Sequence, residues 1–175
     1  MRLPEDRKAK GIVPHLNVLE NVVLAKDKSE LSFLEKMFPI KANEASVFKE
    51  LRDAMNIRVS SGKQLISQLS GGNQQKALFG RASLSGCSIL VLNEPTRGVD
   101  IGAKAEIYDL IRQLADSGVS VIVSSSDVPE LVSICDRCLV YFGGHLTAEL
   151  NESEITETSV VAASIGQKME GGNVI

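Results

Sequence analysis

Apolar and polar positions divide the chain into a helical first part and a strand-bearing second part. Val47, Leu51, Ala54 and Met55 recur at helical spacing from Asn43 onward and predict one face of an amphipathic helix. Ahead of them, Asn17-Val18-Leu19-Glu20 has a cap residue with a glutamate three positions later, which predicts a short helix to about Ala25. Residues 1–15 are polar and basic and carry no predicted element. The stretch Lys26 to Lys41 mixes charge with Leu31, Phe33, Leu34, Met37 and Phe38, a composition that fits an irregular loop or a loose helix ended by Pro39.

After the polar turn Ser60-Ser61-Gly62-Lys63, the segment Leu69-Ser70-Gly71-Gly72 leads into a helix expected to stop near Ser85-Gly86. Ile89-Leu90-Val91-Leu92 is an unbroken apolar run, the pattern of a strand covered on both faces in a parallel sheet. Ala103 to Ala115 places Ile107, Leu110, Ile111 and Leu114 on one side of a helix, and Val119-Ser120-Val121-Ile122-Val123 predicts a second buried strand. Strand, helix and strand in succession predict a right-handed βαβ crossover. A helix from Pro129 to about Cys135 then precedes a hairpin in which Leu139-Val140-Tyr141-Phe142 turns on Gly143-Gly144. Past Glu149 the chain is acidic, then small and polar, with a weak helical segment near Val160 to Ile165. The fold class is α/β: a helical segment over 1–68, a loop, βαβ core and hairpin over 69–150, and a tail over 151–175.

Composition narrows the function classes. With 175 residues, 43% of them hydrophobic, the chain can bury a core of ordinary size. Its net charge of −3 and interleaved charges give no footprint for nucleic acid or for electrostatic membrane binding. No apolar run approaches the roughly 20 residues of a membrane helix, and Met1-Arg2-Leu3-Pro4-Glu5-Asp6-Arg7 lacks a secretory apolar stretch, so a cytoplasmic address is expected. The 3 cysteines suit a reducing compartment. Cys135 and Cys138 form a C-x-x-C with no second pair to complete a zinc set, and they read as structural. His15 and His145 have no ligand-like neighbours and read as surface or packing residues.

Two loop ends carry candidate chemistry, because α/β folds bind ligands just past the carboxyl ends of their strands. In Leu69-Ser70-Gly71-Gly72-Asn73-Gln74-Gln75-Lys76, the glycines let backbone N–H groups approach an anion, the following helix aims its positive end at it, and Ser70 adds a donor. An ordinary Ser-Gly-Gly cap is the competing interpretation of those residues alone. Downstream, Asn93-Glu94-Pro95-Thr96 ends a strand and Arg97-Gly98-Val99-Asp100 follows.

Taken together these segments resemble the ABC transporter ATPases. Leu69 to Lys76 is similar to their signature loop, Ile89 to Glu94 to their second nucleotide-binding strand, and Gly98-Val99-Asp100 to the loop beyond it. Ser124-Ser125-Ser126-Asp127 stands in the place of their switch loop, and Asp136-Arg137 precedes the last strands as it does in that family. Pro4-Glu5-Asp6-Arg7-Lys8, the Asn-Gln-Gln-Lys ending of the signature, and Arg97 through Lys104 resemble the second ATPase half of ribose- and galactose-type importers. The resemblance runs from residue 4 to about 150 and implies a partial ABC-ATPase domain. It implies Glu94 as catalytic base, and Ser70, Gly71, Gly72, Asn73, Gln74, Asp100 and Ser126 as nucleotide-binding or interface residues. Asn93 would be a weak, water-mediated magnesium ligand. ATP and Mg2+ would be held only in a composite site shared with a second ATPase half, and residues of about 17–68 would lean on a membrane permease at the inner face of the cell membrane.

Three departures shape that expectation. The phosphate-cradling G-x-x-x-x-G-K-[ST] loop occurs nowhere: Gly62-Lys63 is followed by Gln64, and Ile57 stands where the first glycine belongs. Asn93 replaces a magnesium-positioning aspartate, and Ser126 replaces a histidine. Met1 falls at a point the family places mid-domain, so a shortened domain lacking its early strands is expected. A non-catalytic remnant of the same fold is the alternative.

Overall fold

The computed structural model describes residues 1–25 and 41–167, as two compact units, Met1–Ser124 and Ser125–Ile175. The ambiguous stretch from Lys26 lies, as far as residue 40, outside the described residues.

In the first unit, α1 (Val18–Val23) starts on the expected capping box, with Asn17 and Glu20 each bonding the other's backbone N–H. Helix α2 (Lys41–Ala54) buries Phe48 and Leu51, and Met55 just past its end is buried too, whereas Ala54 is exposed. The buried face is thus offset from the sequence expectation toward Phe48, and the side chain of Val47 lies outside those described. Helix α3 (Gly71–Leu84) ends at Ser85 as expected, and it buries Ala77, Leu78, Phe79 and Ala82.

The parallel sheet has the order β1 (Arg2–Leu3), β2 (Ile89–Asn93), β3 (Ser120–Ser124), with α4 (Ile101–Asp116) crossing between the last two. The sequence pattern missed β1. Two residues are too few for periodicity to register, yet Arg2 and Leu3 pair with Val91 and Leu92, and the Met1 ammonium donates to the Ile89 carbonyl at 2.6 Å.

The sheet also corrects the expectation of strands covered on both faces. Leu3, Leu90 and Leu92 are buried on one face, where Leu90 lies near Ala82 of α3 and Leu114 of α4. The other face leaves Ile89 and Ile122 51% and 56% exposed. An apolar run reports side chains suited to burial; it does not report whether this chain supplies the cover.

In the second unit, α5 (Val128–Ile134) and α6 (Glu157–Ser164) pack on a hairpin of β4 (Arg137–Phe142) and β5 (His145–Asn151). Gly143 and Gly144 have φ of +57° and +83°, the left-handed pair that a tight hairpin turn requires. Cys138, Val140, Ala148, Leu150 and Val160 form its core. Burial, with neighbouring Cys138, Asp136 and Glu130, pushes the Cys135 thiol up to about 11.

Candidate functional site

Ser70 is the N-cap of α3 and is exposed; its Oγ accepts from the Asn73 amide nitrogen of the backbone at 3.4 Å and from Asn73 Nδ2 at 3.0 Å. Asn73 Oδ1 in turn accepts from the backbone of Arg58 at 2.8 Å, tying the loop to the end of the α2 region. Gly71 and Gly72 occupy the first two helical positions, where backbone N–H groups have no carbonyl one turn earlier to bond. Gly71 is half-buried and Gly72 buried, so the loop shows solvent a rim at Ser70 and Gly71.

Both glycines are also required by packing. A Cβ on Gly71 would stand 2.8 Å from the Gly98 carbonyl oxygen and would overlap the Arg7 guanidinium, and one on Gly72 would stand 2.8 Å from Ala103 Cβ. Close approach of the 97–103 segment therefore forbids side chains here, independently of any anion. Gln74 points inward: it is buried, and its Nε2 donates to the carbonyls of Ile66 and Leu69 at 3.2 and 3.1 Å.

At the carboxyl end of β2, Asn93 is half-buried and in register with Ser124, and Glu94 follows with φ of +49°. A non-glycine residue in this left-handed region is strained, and such residues gather at functional sites. The strain is held by the Glu94 N–H donating to Ser124 O at 2.8 Å and by the turn in which the Arg97 N–H donates to Glu94 O at 3.1 Å. Asp100 caps α4, its Oδ1 accepting from the Ala103 N–H at 2.9 Å. The structure thus gathers Ser70 through Gln74 beside the loop that joins Glu94 to Asp100, with Gly72 against Ala103 and Gly71 against Gly98.

Ser126 belongs to the second unit and is exposed. Its neighbours order the turn: Ser125 Oγ donates to the buried Glu130 carboxylate at 2.5 Å, and Asp127 caps α5, accepting from the Glu130 N–H at 3.4 Å.

Three polar ties around the loop were not singled out from sequence. Arg7 donates from Nη1 to Arg97 O at 2.6 Å, from Nη2 to Gly98 O at 3.2 Å and from Nε to Gln74 Oε1 at 3.4 Å. The almost fully buried Lys76 pairs with Glu106 and donates to Asn56 O at 2.9 Å, and Arg58 also reaches Glu106. The hydrogen bond from Lys76 holds the Glu106 carboxyl below its ordinary range, outweighing the opposing effect of burial. Arg81 binds Gly11 O and Asn21 O at 2.7 Å each, fixing α1 to α3, and its burial lowers its affinity for the proton. The signal for Arg7 was its place in the Pro4–Lys8 fingerprint; Glu106 looked like one more polar residue on a helix.

The residues fit one face of a phosphate, with an exposed hydroxyl and helix-end amides. They do not fit a self-contained magnesium site: Asn93 brings no charge to the strand end, and among the described residues no group of three His, Cys, Asp or Glu side chains gathers to hold a metal.

No family model matches the chain. It is similar to solved ATP-binding cassettes. One cassette of an ABC transporter aligns over 95% of this chain and 68% of its own at a TM-score of 0.71 and 22% identity. A dimeric cassette in a post-hydrolysis state bound to ADP and Pi aligns over 86% of this chain and 62% of its own, at 0.68 and 21%. The fold is therefore that of an ABC ATPase cassette. In sequence the chain is 42% identical over 94% of its length to a ribose import ATP-binding protein of Corynebacterium glutamicum. It is 40% identical over 97% to an arabinose import ATP-binding protein of Mannheimia succiniciproducens, and 37% identical over 95% to a xylose import ATP-binding protein of Moorella thermoacetica. These matches cover 31%, 34% and 32% of the three relatives, so the chain spans about a third of their length. The chain is a homologue of one stretch of the ABC-type sugar-import ATP-binding proteins.

Proposed function

We propose that this chain contributes the signature loop and the catalytic-glutamate strand to a composite ATP site in a sugar importer. Ser70, Gly71 and Gly72 close over the γ-phosphate of ATP held by another ATPase half that carries the phosphate-binding loop. The observation that carries this is the exposed Ser70 and half-exposed Gly71 at the start of α3, a helix of 14 residues whose positive end faces outward there. Asn73 and Gln74 hold the loop, and Asp100 stands on the surface that meets the second half.

For the site that this half itself borders, Glu94 is the group that polarises the attacking water, a role suited to a carboxylate fixed at the carboxyl end of a sheet strand. ATP supplies the phosphoryl group and Mg2+ the charge neutralisation, both in the assembled site only. Asn93 would help hold the metal through water, and Ser126 would face the γ-phosphate; both lack charge, so this site is the weaker one. Residues of about 1–68 face the membrane permease, 69–150 form the ATPase part, and 151–175 the tail. The assembly sits peripherally at the cytoplasmic face of the membrane. Among the described residues no helix is long and apolar enough to cross it.

Mixing the chain with a phosphate-loop half of a ribose, arabinose or xylose import protein and measuring ATP hydrolysis tests the proposal. Hydrolysis rises with the chain and stays at baseline with Ser70→Arg; no rise, or an equal rise with the variant, contradicts it. The uncharged Asn93 and Ser126 favour a second reading, a remnant without hydrolysis of its own. In that case Ser70→Arg removes stimulation while Glu94→Gln leaves it unchanged.

A further inference from the structure

We infer that Arg7 is a positioning residue: a guanidinium latch that locks the first turn of α3 to the loop between β2 and α4, so that the two segments move as one body. Three N–H groups of one side chain serve three acceptors on two segments distant in sequence. Arg97 O and Gly98 O belong to the β2–α4 loop, and Gln74 Oε1 belongs to α3. Gln74 extends the tie, since its own amide donates to Ile66 and Leu69 just ahead of Ser70. A planar fork can span such a set; an ammonium, a point donor on a flexible stem, cannot.

The surroundings are shaped for the latch. Gly71 lacks the side chain that would occupy the space of Nη2, and Gly98 has φ of +66°, a backbone conformation that side chains rarely adopt. Arg7 opens a single π turn, Arg7–Gly11, capped by Asp6, whose Oδ1 accepts from the Ala9 N–H at 3.0 Å. An ion pair between Glu5 and Arg97 adds a second strap alongside. Burial makes Arg7 part with its proton more readily than an exposed arginine, the signature of a guanidinium turned into the protein. The Pro4–Lys8 and Arg97–Lys104 fingerprints, far apart in the chain, thus meet at this side chain.

The consequence for ATP hydrolysis rests on the proposed role of the signature loop, but the latch itself is testable on the chain alone. Amide hydrogen exchange is compared for the wild type, Arg7→Lys, Arg7→Gln and Glu5→Gln. Both Arg7 variants speed exchange roughly tenfold at residues 73–78 and 99–104 together, as expected for loss of charge-assisted hydrogen bonds, and leave 137–151 unchanged. Glu5→Gln, which keeps the latch, leaves 73–78 unchanged. Wild-type exchange in Arg7→Lys means that Arg7 acts only by charge and overturns the latch, as does loosening of one segment without the other. If Arg7→Gln does not fold, Arg7→Lys and Glu5→Gln decide. In the mixed ATPase assay, Arg7→Lys lowers kcat several-fold with little change in KM for ATP. Absence of any wild-type stimulation there defeats the nucleotide role and leaves the exchange result to decide the latch.

Discussion

The ammonium of Lys76, 3% exposed, is paired with Glu106 across the α3–α4 contact, and Asn56 O accepts a second of its hydrogen bonds. Helices α3 and α4 and the end of the α2 region are thereby joined at one cation. Removing the cation leaves Glu106 with Arg58 and the Asn56 side-chain amide, which donates to it at 3.4 Å, and takes the Lys76 hydrogen bond away from the Asn56 carbonyl. Lys76→Met should cost about 2 kcal/mol in urea unfolding.

The same pair sets a pH dependence. Glu106 is held below its ordinary range in the folded chain, so its contribution is fully present above the unfolded value, about 4.3, and is lost as pH falls through the folded value. Thermal midpoints of the wild type should therefore drop below about pH 5, and Glu106→Gln should show a shallower drop over the same window. Equal slopes would remove the pair from the acid response.

Glu94 combines a strained backbone with the chemistry assigned to it. Asparagine tolerates the left-handed region better, so Glu94→Asn should leave stability unchanged or raise it by up to about 1 kcal/mol. At the site that this half borders in the assembled ATPase, the same change should lower kcat by two orders of magnitude or more, as expected for loss of a general base, while the site held by the other half keeps working. A variant that loses both stability and activity would make Glu94 a structural residue.

Gly72 meets Ala103 with no room for a methyl group. Gly72→Ala should destabilise by about 1–3 kcal/mol through overpacking. Adding Ala103→Gly should recover part of that loss, since contacting residues are coupled. A strictly additive double variant would mean that α3 and α4 do not constrain each other there.

Cys135, with its thiol pushed up to about 11, should be almost entirely protonated at pH 8. Alkylation by iodoacetamide should run roughly two orders of magnitude slower than at an ordinary cysteine. Fast labelling would contradict the packing role of the half-buried Cys135 in the C-x-x-C.

Much of this architecture was legible in the sequence because local signals and packing agree. The Asn17–Glu20 box, the Ser70 cap and the Gly143-Gly144 turn each specify backbone geometry within four residues, and all three form. What depended on distant chain was not legible. Strand β1 exists only because β2 accepts it, and the exposure of Ile89 and Ile122 depends on cover that a single strand's pattern cannot report. In the candidate site, motif spacing pointed to Ser70, Glu94 and Asp100. The contacts that orient them, Arg7 to Gly98 and Lys76 to Glu106, join residues whose types are common on any surface. The need for Gly71 and Gly72 was attributed to an approaching anion, and the structure adds the approach of this chain's own 97–103 segment.

The most direct test of the central claim is ATP-dependent association between this chain and a phosphate-loop half whose own catalytic glutamate has been changed to glutamine, followed by sedimentation. The expected result is a complex that forms with ATP, disappears without it and fails to form with Ser70→Arg. Association that ignores ATP or the Ser70 substitution would contradict the claim that this loop grips a nucleotide bound to another half.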